Sequence, residues 1–116
     1  MSSTSINITK RNKIFSKIVQ VGVSRAITNT DYDSMLECVN ATGISLTIEN
    51  DTVLSYFEVG EGFNLTQDGD GTVGLLAGSG VTLKSEDNLT DIFAKYVTVT
   101  VVKLESNVWG IYGKLA

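Results

Sequence analysis

The stretch Tyr96-Val-Thr-Val-Thr-Val-Val-Lys-Leu104 contains six consecutive β-branched residues. Such residues pack well in strands, and successive side chains of a strand point to opposite sides of its sheet. Val97, Val99 and Val101 therefore share one face. The other face carries Thr98, Thr100, Val102 and Leu104. This second face is too apolar for an ordinary solvent face, so we predict that a neighbouring subunit or an arm covers these four residues.

Shorter alternating runs fill the chain from Ala26 onward, separated by turn residues. Glycine and asparagine supply the positive φ values that tight turns require. Short strands separated by turn residues at intervals of roughly 8–12 residues are typical of sandwiches and barrels. We therefore predict an all-β fold, a small antiparallel β-sandwich or barrel of jelly-roll type with an extended N-terminal arm. The other predicted strands cover residues 35–39, 44–48, 54–57, 63–67, 72–77, 81–84 and 108–114.

Charge divides the chain into two parts. Residues 1–25 carry five basic residues and no acid, a charge of +5, whereas residues 26–116 carry four lysines and 13 acids, a charge of −9. We predict a basic N-terminal arm over residues 1–25 and a β domain over residues 26–116. The β-branched residues near the end of the arm favour an extended chain, although the spacing of Ile14, Phe15, Ile18 and Val19 also fits a helix.

Proline is absent from the chain. Proline is one of the residues that protect the exposed edges of sheets, so the edges here depend on charge, on short strands or on pairing between subunits. This favours an oligomer. No run approaches the roughly 20 apolar residues of a membrane span, and no secretory signal is evident at the N-terminus, so we expect no membrane partner.

Catalytic residues are scarce. The chain has no histidine and one cysteine, Cys38, which removes the common general base, the usual catalytic triads and the usual zinc ligands. The acidic pairs, such as Asp68 and Asp70, lie at predicted turns, where acids are common without any catalytic role. The segment 68–71 lacks the remaining ligands of a calcium loop and is better explained as a hairpin turn. We therefore expect no enzymatic activity, no metal and no cofactor.

The basic arm is the candidate docking segment. Its residues are Lys10, Arg11, Lys13, Ile14, Phe15 and Lys17. A nucleic-acid backbone would be repelled by the acidic domain that follows, so an acidic protein surface is the better partner. Docking through charge would weaken steeply with salt, whereas docking through Ile14, Phe15 and Ile18 as apolar anchors would not.

Two tyrosines are candidate contacts for a surface ligand such as a carbohydrate. On the last predicted strand, Trp109 and Ile111 should share the core face, and Tyr112 should lie on the opposite face with Gly110. Tyr56 lies near the end of the predicted strand 54–57. Core packing remains the more common role for aromatic residues in a small domain.

Several motifs resemble a β module of tailed-bacteriophage structural proteins. They cover some three quarters of the chain and are Ala41-Thr-Gly-Ile-Ser-Leu-Thr-Ile48, Val59-Gly-Glu-Gly-Phe-Asn-Leu-Thr-Gln-Asp-Gly-Asp-Gly-Thr-Val73, Leu76-Ala-Gly-Ser-Gly-Val-Thr-Leu83, Ala94-Lys-Tyr-Val-Thr-Val-Thr-Val-Val-Lys103 and Val108-Trp-Gly-Ile-Tyr-Gly-Lys-Leu115. Similar modules occur in head fibres, capsid decoration proteins and tail fibres. The family usually has prolines where this chain has residues 49–56.

The resemblance implies a virion structural role, commonly as a homotrimer. The short chain favours a head fibre or capsid decoration protein, made in the cytoplasm of the bacterial host and located on the virion surface. In that role the arm docks on the major capsid protein or another virion protein, and the β domain trimerises. The alternative implied by the same resemblance is a tail-fibre module that recognises host surface carbohydrate.

Overall fold

The computed structural model describes residues 13–116, and β-strands dominate this part of the chain. Two single-turn 3-10 helices, Asn29–Asp31 and Glu86–Asn88, are its only helical elements. This confirms the predicted β-rich class. The strands are β1 (Lys17–Val21), β2 (Arg25–Ala26), β3 (Ser34–Cys38), β4 (Ile44–Ile48), β5 (Gly62–Gln67), β6 (Val73–Ala77), β7 (Thr82–Lys84), β8 (Thr98–Glu105) and β9 (Val108–Tyr112).

The first six strands alternate between two sheets. Strands β1, β3 and β5 pair in parallel in one sheet, and β2, β4 and β6 pair in parallel in the other. Residues on successive coils of the chain therefore stack directly, as Val19, Leu36 and Leu65 do. Each coil contributes one strand to each sheet, which is the arrangement of a parallel β-helix with three coils.

Stacked corners join the two sheets. The side-chain amide of Asn40 donates to the carbonyl oxygen of Gly22 on the preceding coil at 2.8 Å. The N–H of Gly71, on the following coil, donates to the carbonyl oxygen of Asn40 at the same distance. A Cβ on Gly71 would collide with the backbone nitrogen of Gly43 and would lie 2.5 Å from that carbonyl oxygen. Glycine is needed here because the backbones of two corners touch.

The remaining strands close the larger sheet. Strand β8 pairs antiparallel with β5, β9 pairs antiparallel with β8, and β7 pairs parallel with β9. The larger sheet therefore has six strands in the order β1-β3-β5-β8-β9-β7. Beside the smaller sheet, Asp91 forms an antiparallel bridge with Gly74 of β6, and Ile92 forms one with Leu115.

The core lies between the sheets and is centred on three aromatic rings. Trp109 is fully buried, and its ring centroid lies 5.2 Å from that of Phe57 and 6.2 Å from that of Phe63. Trp109 and Ile111 are both buried and Tyr112 is exposed, as their alternation predicted. Leu54 is buried as well, and it enters the core from the loop between β4 and β5.

Two local predictions are wrong. Residues 54–57 lie in turns and loop instead of a strand. The loop begins at Asn50, whose side-chain oxygen accepts a hydrogen bond from the N–H of Thr52. Leu54 and Phe57 reach the core from this loop. Residues 68–71 form a corner instead of a hairpin, because β5 and β6 belong to different sheets.

The expected antiparallel direction is also wrong for most of the described fold. Five of its seven strand pairs are parallel and two are antiparallel. Alternating side chains reveal which face of a strand is buried, but they carry no information on the direction of its neighbour. The predicted boundary at residue 25 falls within the paired chain, since β1 and β2 join the two sheets.

Candidate interaction surface

The side of the six-stranded sheet that points away from the core is here called the outer face. Its side chains are those that alternate with the core residues along the six strands, together with Glu105, which a β-bulge in β8 places opposite Val108. Glu37, Lys84 and Glu105 are the charged ones among them. The set is Ile18, Gln20, Met35, Glu37, Asn64, Thr66, Thr82, Lys84, Thr98, Thr100, Val102, Leu104, Glu105, Val108 and Tyr112. Such a small charge content is unusual for a solvent-facing sheet.

Hydrogen bonds across the strands use up much of the polar capacity of the outer face. The hydroxyl groups of Thr66 and Thr98 lie 2.5 Å apart, and the hydroxyl of Thr100 donates to Oδ1 of Asn64 at 2.5 Å. The side-chain amide of Gln20 donates to the carboxylate of Glu37. These pairs sit directly opposite each other in register, and such pairs stabilise a sheet. They leave a surface with few polar groups that still need water.

The residues predicted to form a subunit interface all lie on the outer face. Thr98 is exposed, while Thr100, Val102 and Leu104 are half-buried. Their contact with another subunit stays a prediction. Ile18 of β1 lies on the same face and is 64% exposed, although the sequence suggested it only as part of the arm. The alternation of Ile18 and Gln20 is the signal that places Ile18 on this face.

Tyr112 lies at the edge of the outer face beside a cleft. A Cβ on Gly110 would lie 2.6 Å from Oη of Tyr112, so the phenol ring packs over this glycine. Beyond it a cleft of about 380 Å³ is lined by Lys84, Ser85, Glu86, Leu104, Ile111, Tyr112 and Gly113. The hydroxyl of Ser85 is buried and has no hydrogen-bond partner within the described chain. This volume lies in the range of small-molecule sites, roughly 300–1,000 Å³.

Tyr56 lies elsewhere and does not line this cleft. Its ring packs edge-on against Tyr32, with a centroid distance of 5.1 Å, and its backbone N–H donates to Oδ1 of Asn29 at 3.1 Å. The hydroxyl of Tyr32 donates in turn to Glu61 at 3.2 Å, and this hydrogen bond raises the pKa of Tyr32. The two tyrosines predicted to contact a ligand therefore do not form one site.

The predicted docking residues are only partly covered by the structure. Lys10 and Arg11 lie outside the described residues. Lys13 and Lys17 are exposed, Ile14 is 85% exposed and Phe15 is half-buried. Lys17 begins β1 and so belongs to the paired β body.

Arg25, the last basic residue of the predicted arm, is committed to the fold. Its two terminal nitrogens donate to the two carboxylate oxygens of Asp31 at 2.8 and 2.9 Å. Asp31 is only 2% exposed, and it also accepts the backbone N–H of Thr28 at 2.8 Å. The hydrogen bonds to Asp31 raise the pKa of Arg25 against the opposing effect of its burial. This bidentate pair leaves Arg25 unsuited to docking.

Residues 13–116 contain no cluster of potential metal ligands, and their one thiol group is buried. Within residues 13–116 no three acidic or cysteine side chains cluster closely enough to hold a metal ion. The thiol of Cys38 is buried, and burial raises its pKa to about 11. A thiol with such a high pKa is a poor nucleophile at neutral pH.

Comparisons with known proteins identify no relative. No family model, curated protein or solved structure matched the chain. Neither helix in residues 13–116 has the length and apolar character that crossing a bilayer requires.

Proposed function

We propose that this protein is a structural subunit of a tailed-bacteriophage virion, of the head-fibre or capsid decoration type. In this proposal the N-terminal segment as far as the exposed Lys17, at the start of β1, docks on the major capsid protein or another virion protein. The β body forms a homotrimer and projects from the virion surface. The observation that carries the proposal is the outer face of the six-stranded sheet.

The composition of the outer face supports assembly. Its centre, on β3, β5 and β8, combines Met35 and Val102 with threonines whose hydroxyl groups are already paired within the sheet. Interface centres are depleted in charged residues in the same way. The hydrogen bonds across the strands also fix the side chains before association, which lowers the entropic cost of binding.

The phage assignment draws its support from the sequence motifs. The segment 59–73, with its Gln-Asp-Gly-Asp-Gly run, becomes β5 and the corner that stacks on the preceding coil. The segment 94–103 supplies most of β8, at the centre of the outer face. These two segments, which resemble motifs of phage proteins, therefore coincide with elements that build the outer face.

The test of assembly is the solution mass measured by light scattering. We expect the full chain to have three times the mass of a monomer. The double variant Thr98→Glu/Val102→Glu should be monomeric, because it places unpaired charges in the proposed interface. Ser45→Glu is the matched control, since Ser45 is an exposed strand residue of the smaller sheet. A wild-type chain that is monomeric at all concentrations would contradict the assembly.

Docking is tested separately by co-sedimentation with purified phage capsids. We expect binding that weakens as salt rises, because Lys10, Arg11, Lys13 and Lys17 supply the charge. Neutralising Lys13 and Lys17 should lower the bound fraction without changing the oligomeric mass. Capsids that leave the protein in the supernatant at low salt would overturn the docking role.

A second candidate function is recognition of host surface carbohydrate at the cleft beside Tyr112. The cleft combines an aromatic ring, the unpartnered hydroxyl of Ser85 and one charge of each sign, on Lys84 and Glu86. This mixture suits a ligand with hydroxyl groups and an apolar ring face. A glycan array tests the idea: specific binding that is lost in Tyr112→Ala and kept in Tyr56→Ala would favour recognition at the cleft.

A further inference from the structure

Strand β1 forms one end of the stack of coils. Within residues 13–116 its single strand neighbour is β3, so the opposite edge of β1 has no strand beside it. At the other end of the same stack, β8 covers β5 and the bridge at Asp91 covers β6. Solenoid folds need such covers because each coil contacts only its neighbours. The described chain thus supplies a cover at one end of the stack and none at the other.

The edge of β1 has the properties of a template for another strand. Its five residues, Lys17–Val21, include three β-branched side chains and no proline or glycine. Exposed apolar side chains surround it: Ile14 is 85% exposed, Ile18 is 64% exposed, and Val23, just after the strand, is 67% exposed. An edge strand of this length with apolar neighbours readily pairs with a further chain.

The charge beside this edge favours an acidic partner. Lys13 and Lys17 are exposed, and the three ion pairs in residues 13–116 involve neither of them. The sequence adds Lys10 and Arg11 and has no acidic residue before Asp31. Pairing β1 with β1 of a second copy would bring these like charges together, which is unfavourable. An extended segment rich in Asp or Glu would be attracted instead.

We propose that the free edge of β1 binds an extended, acidic segment of a partner protein as an added parallel or antiparallel strand. Main-chain hydrogen bonds to β1 would supply the affinity, and the lysines would select for acidic side chains. The proposal deepens the docking role given above and rests on it for the identity of the partner. The binding mode itself is a property of this chain and is tested without capsids.

The experiment uses the full chain and a labelled peptide in which Glu and Val alternate over seven residues, with blocked ends. Two further peptides carry N-methyl groups on one or the other alternating set of backbone amides. An added strand turns only one of these sets toward β1. We expect the unmethylated peptide to bind by fluorescence anisotropy, one methylated peptide to bind similarly, and the other not to bind. On binding, hydrogen exchange should slow at those amides of residues 17–21 that point away from β3.

Variants with reversed lysine charges test whether the peptide binds at the free edge of β1. We expect Lys13→Glu/Lys17→Glu to weaken peptide binding about tenfold or more, since two attractive pairs become repulsive. Lys95→Glu/Lys114→Glu is the matched control, because it also reverses two exposed lysines, and neither of them lies on the outer face or lines the cleft. The control should change the affinity by less than about twofold.

Four results would overturn the proposal. Equal binding of both methylated peptides would show that charge alone acts, and an equal effect of Lys95→Glu/Lys114→Glu would show that the edge is not selective. Protection of the β1 amides that point away from β3 in the free, dilute chain would show that residues 1–12 already occupy the edge, and protection of these amides that grows with protein concentration would identify a second copy.

The peptide experiment and the capsid experiment fail independently. Strand addition to the peptide without sedimentation on capsids would remove the docking role and leave the edge site. Sedimentation on capsids without strand addition to the peptide would remove the edge site and leave the docking role.

Discussion

The Nζ atom of Lys103 lies 3.1 Å from Oδ1 of Asp51 and donates a hydrogen bond to the carbonyl oxygen of Phe57, also at 3.1 Å. The Lys103 side chain is only 9% exposed. Asp51 also accepts the hydroxyl of Ser106 at 2.8 Å, and its backbone N–H donates to Oδ1 of Asn107 at 2.8 Å. One largely buried ion pair therefore fastens the loop between β4 and β5 onto the turn between β8 and β9.

Removing one partner of this pair should destabilise the fold strongly. In Asp51→Ala the Lys103 ammonium stays buried with one carbonyl acceptor, and the loss should be about 3 kcal/mol. The double variant Lys103→Met/Asp51→Leu removes both charges and should recover most of that loss. Urea unfolding followed by circular dichroism measures the free energy of unfolding of each variant.

The ion pair between Lys95 and Asp70 is the control for this experiment. Its atoms are 3.3 Å apart, but the Asp70 side chain is 83% exposed. Asp70→Ala should therefore cost less than about 1 kcal/mol. A loss as large as that of Asp51→Ala would contradict the importance assigned to burial.

The same pair predicts a pH dependence of stability. Burial by itself would raise the pKa of Asp51, but the hydrogen bonds from Ser106 and Lys103 outweigh it and hold the pKa below its ordinary value of 3.8. The stabilisation is complete above pH 3.8 and is lost as the pH falls through the lower pKa of the folded state. The gap in melting temperature between wild type and Asp51→Asn should be constant near neutral pH and shrink below 3.8. A gap that widens below pH 3.8 would contradict the lowered pKa assigned to Asp51.

The sequence predicted the faces of the strands better than their arrangement. The alternation from Tyr96 to Leu104 correctly separated the buried Val99 and Val101 from the outer-face threonines, because burial on one side leaves a period of two. The same period occurs in parallel and antiparallel sheets, so the coiled topology was missed. The glycine-rich segment at Gly69 and Gly71 was the available cue, because it forms a corner between β5 and β6, two consecutive strands that do not pair with each other.

Only the β8 part of the outer face was predicted from the sequence, for a related reason. Strand β8 was recognised because its pattern is long, whereas β1, which carries Ile18, was placed in the arm on the basis of charge. Charge reports on partners and solubility rather than on fold. The cleft beside Tyr112 arises where β7 ends before β9 does, and such an offset between strands has no local signature in the sequence.

Two glycines at the corners of the coils should respond differently to alanine. Gly71→Ala places a Cβ against the backbone of Gly43 and Asn40, which cannot move aside as a side chain can, and should cost about 1–3 kcal/mol or more. Gly22→Ala meets no atom within 4 Å and has no positive φ. It should be neutral or stabilising by up to about 1 kcal/mol. Thermal unfolding of both variants checks this, and equal melting temperatures would contradict the close contact of the corners.

Cys38 should resist thiol reagents in the folded protein. Its side chain is fully buried, and its pKa of about 11 keeps the thiol protonated at pH 8. We expect no mass change on treatment with iodoacetamide in native buffer and complete modification in urea. Rapid modification of the native chain would show that the end of β3 opens to solvent.

Arg25 should behave as a structural residue although it lies in the basic N-terminal region. Arg25→Ala leaves the buried carboxylate of Asp31 with the Thr28 N–H as its main donor and should cost about 3 kcal/mol. Lys17→Ala, at an exposed lysine outside the ion pairs of the described chain, should change stability by about 0.5 kcal/mol or less. Arg25→Lys keeps the charge but loses the paired geometry, so it should lower stability while leaving the binding of an acidic peptide unchanged. A peptide affinity that followed Arg25 rather than Lys17 would place the docking charge inside the β body and not at its N-terminal edge.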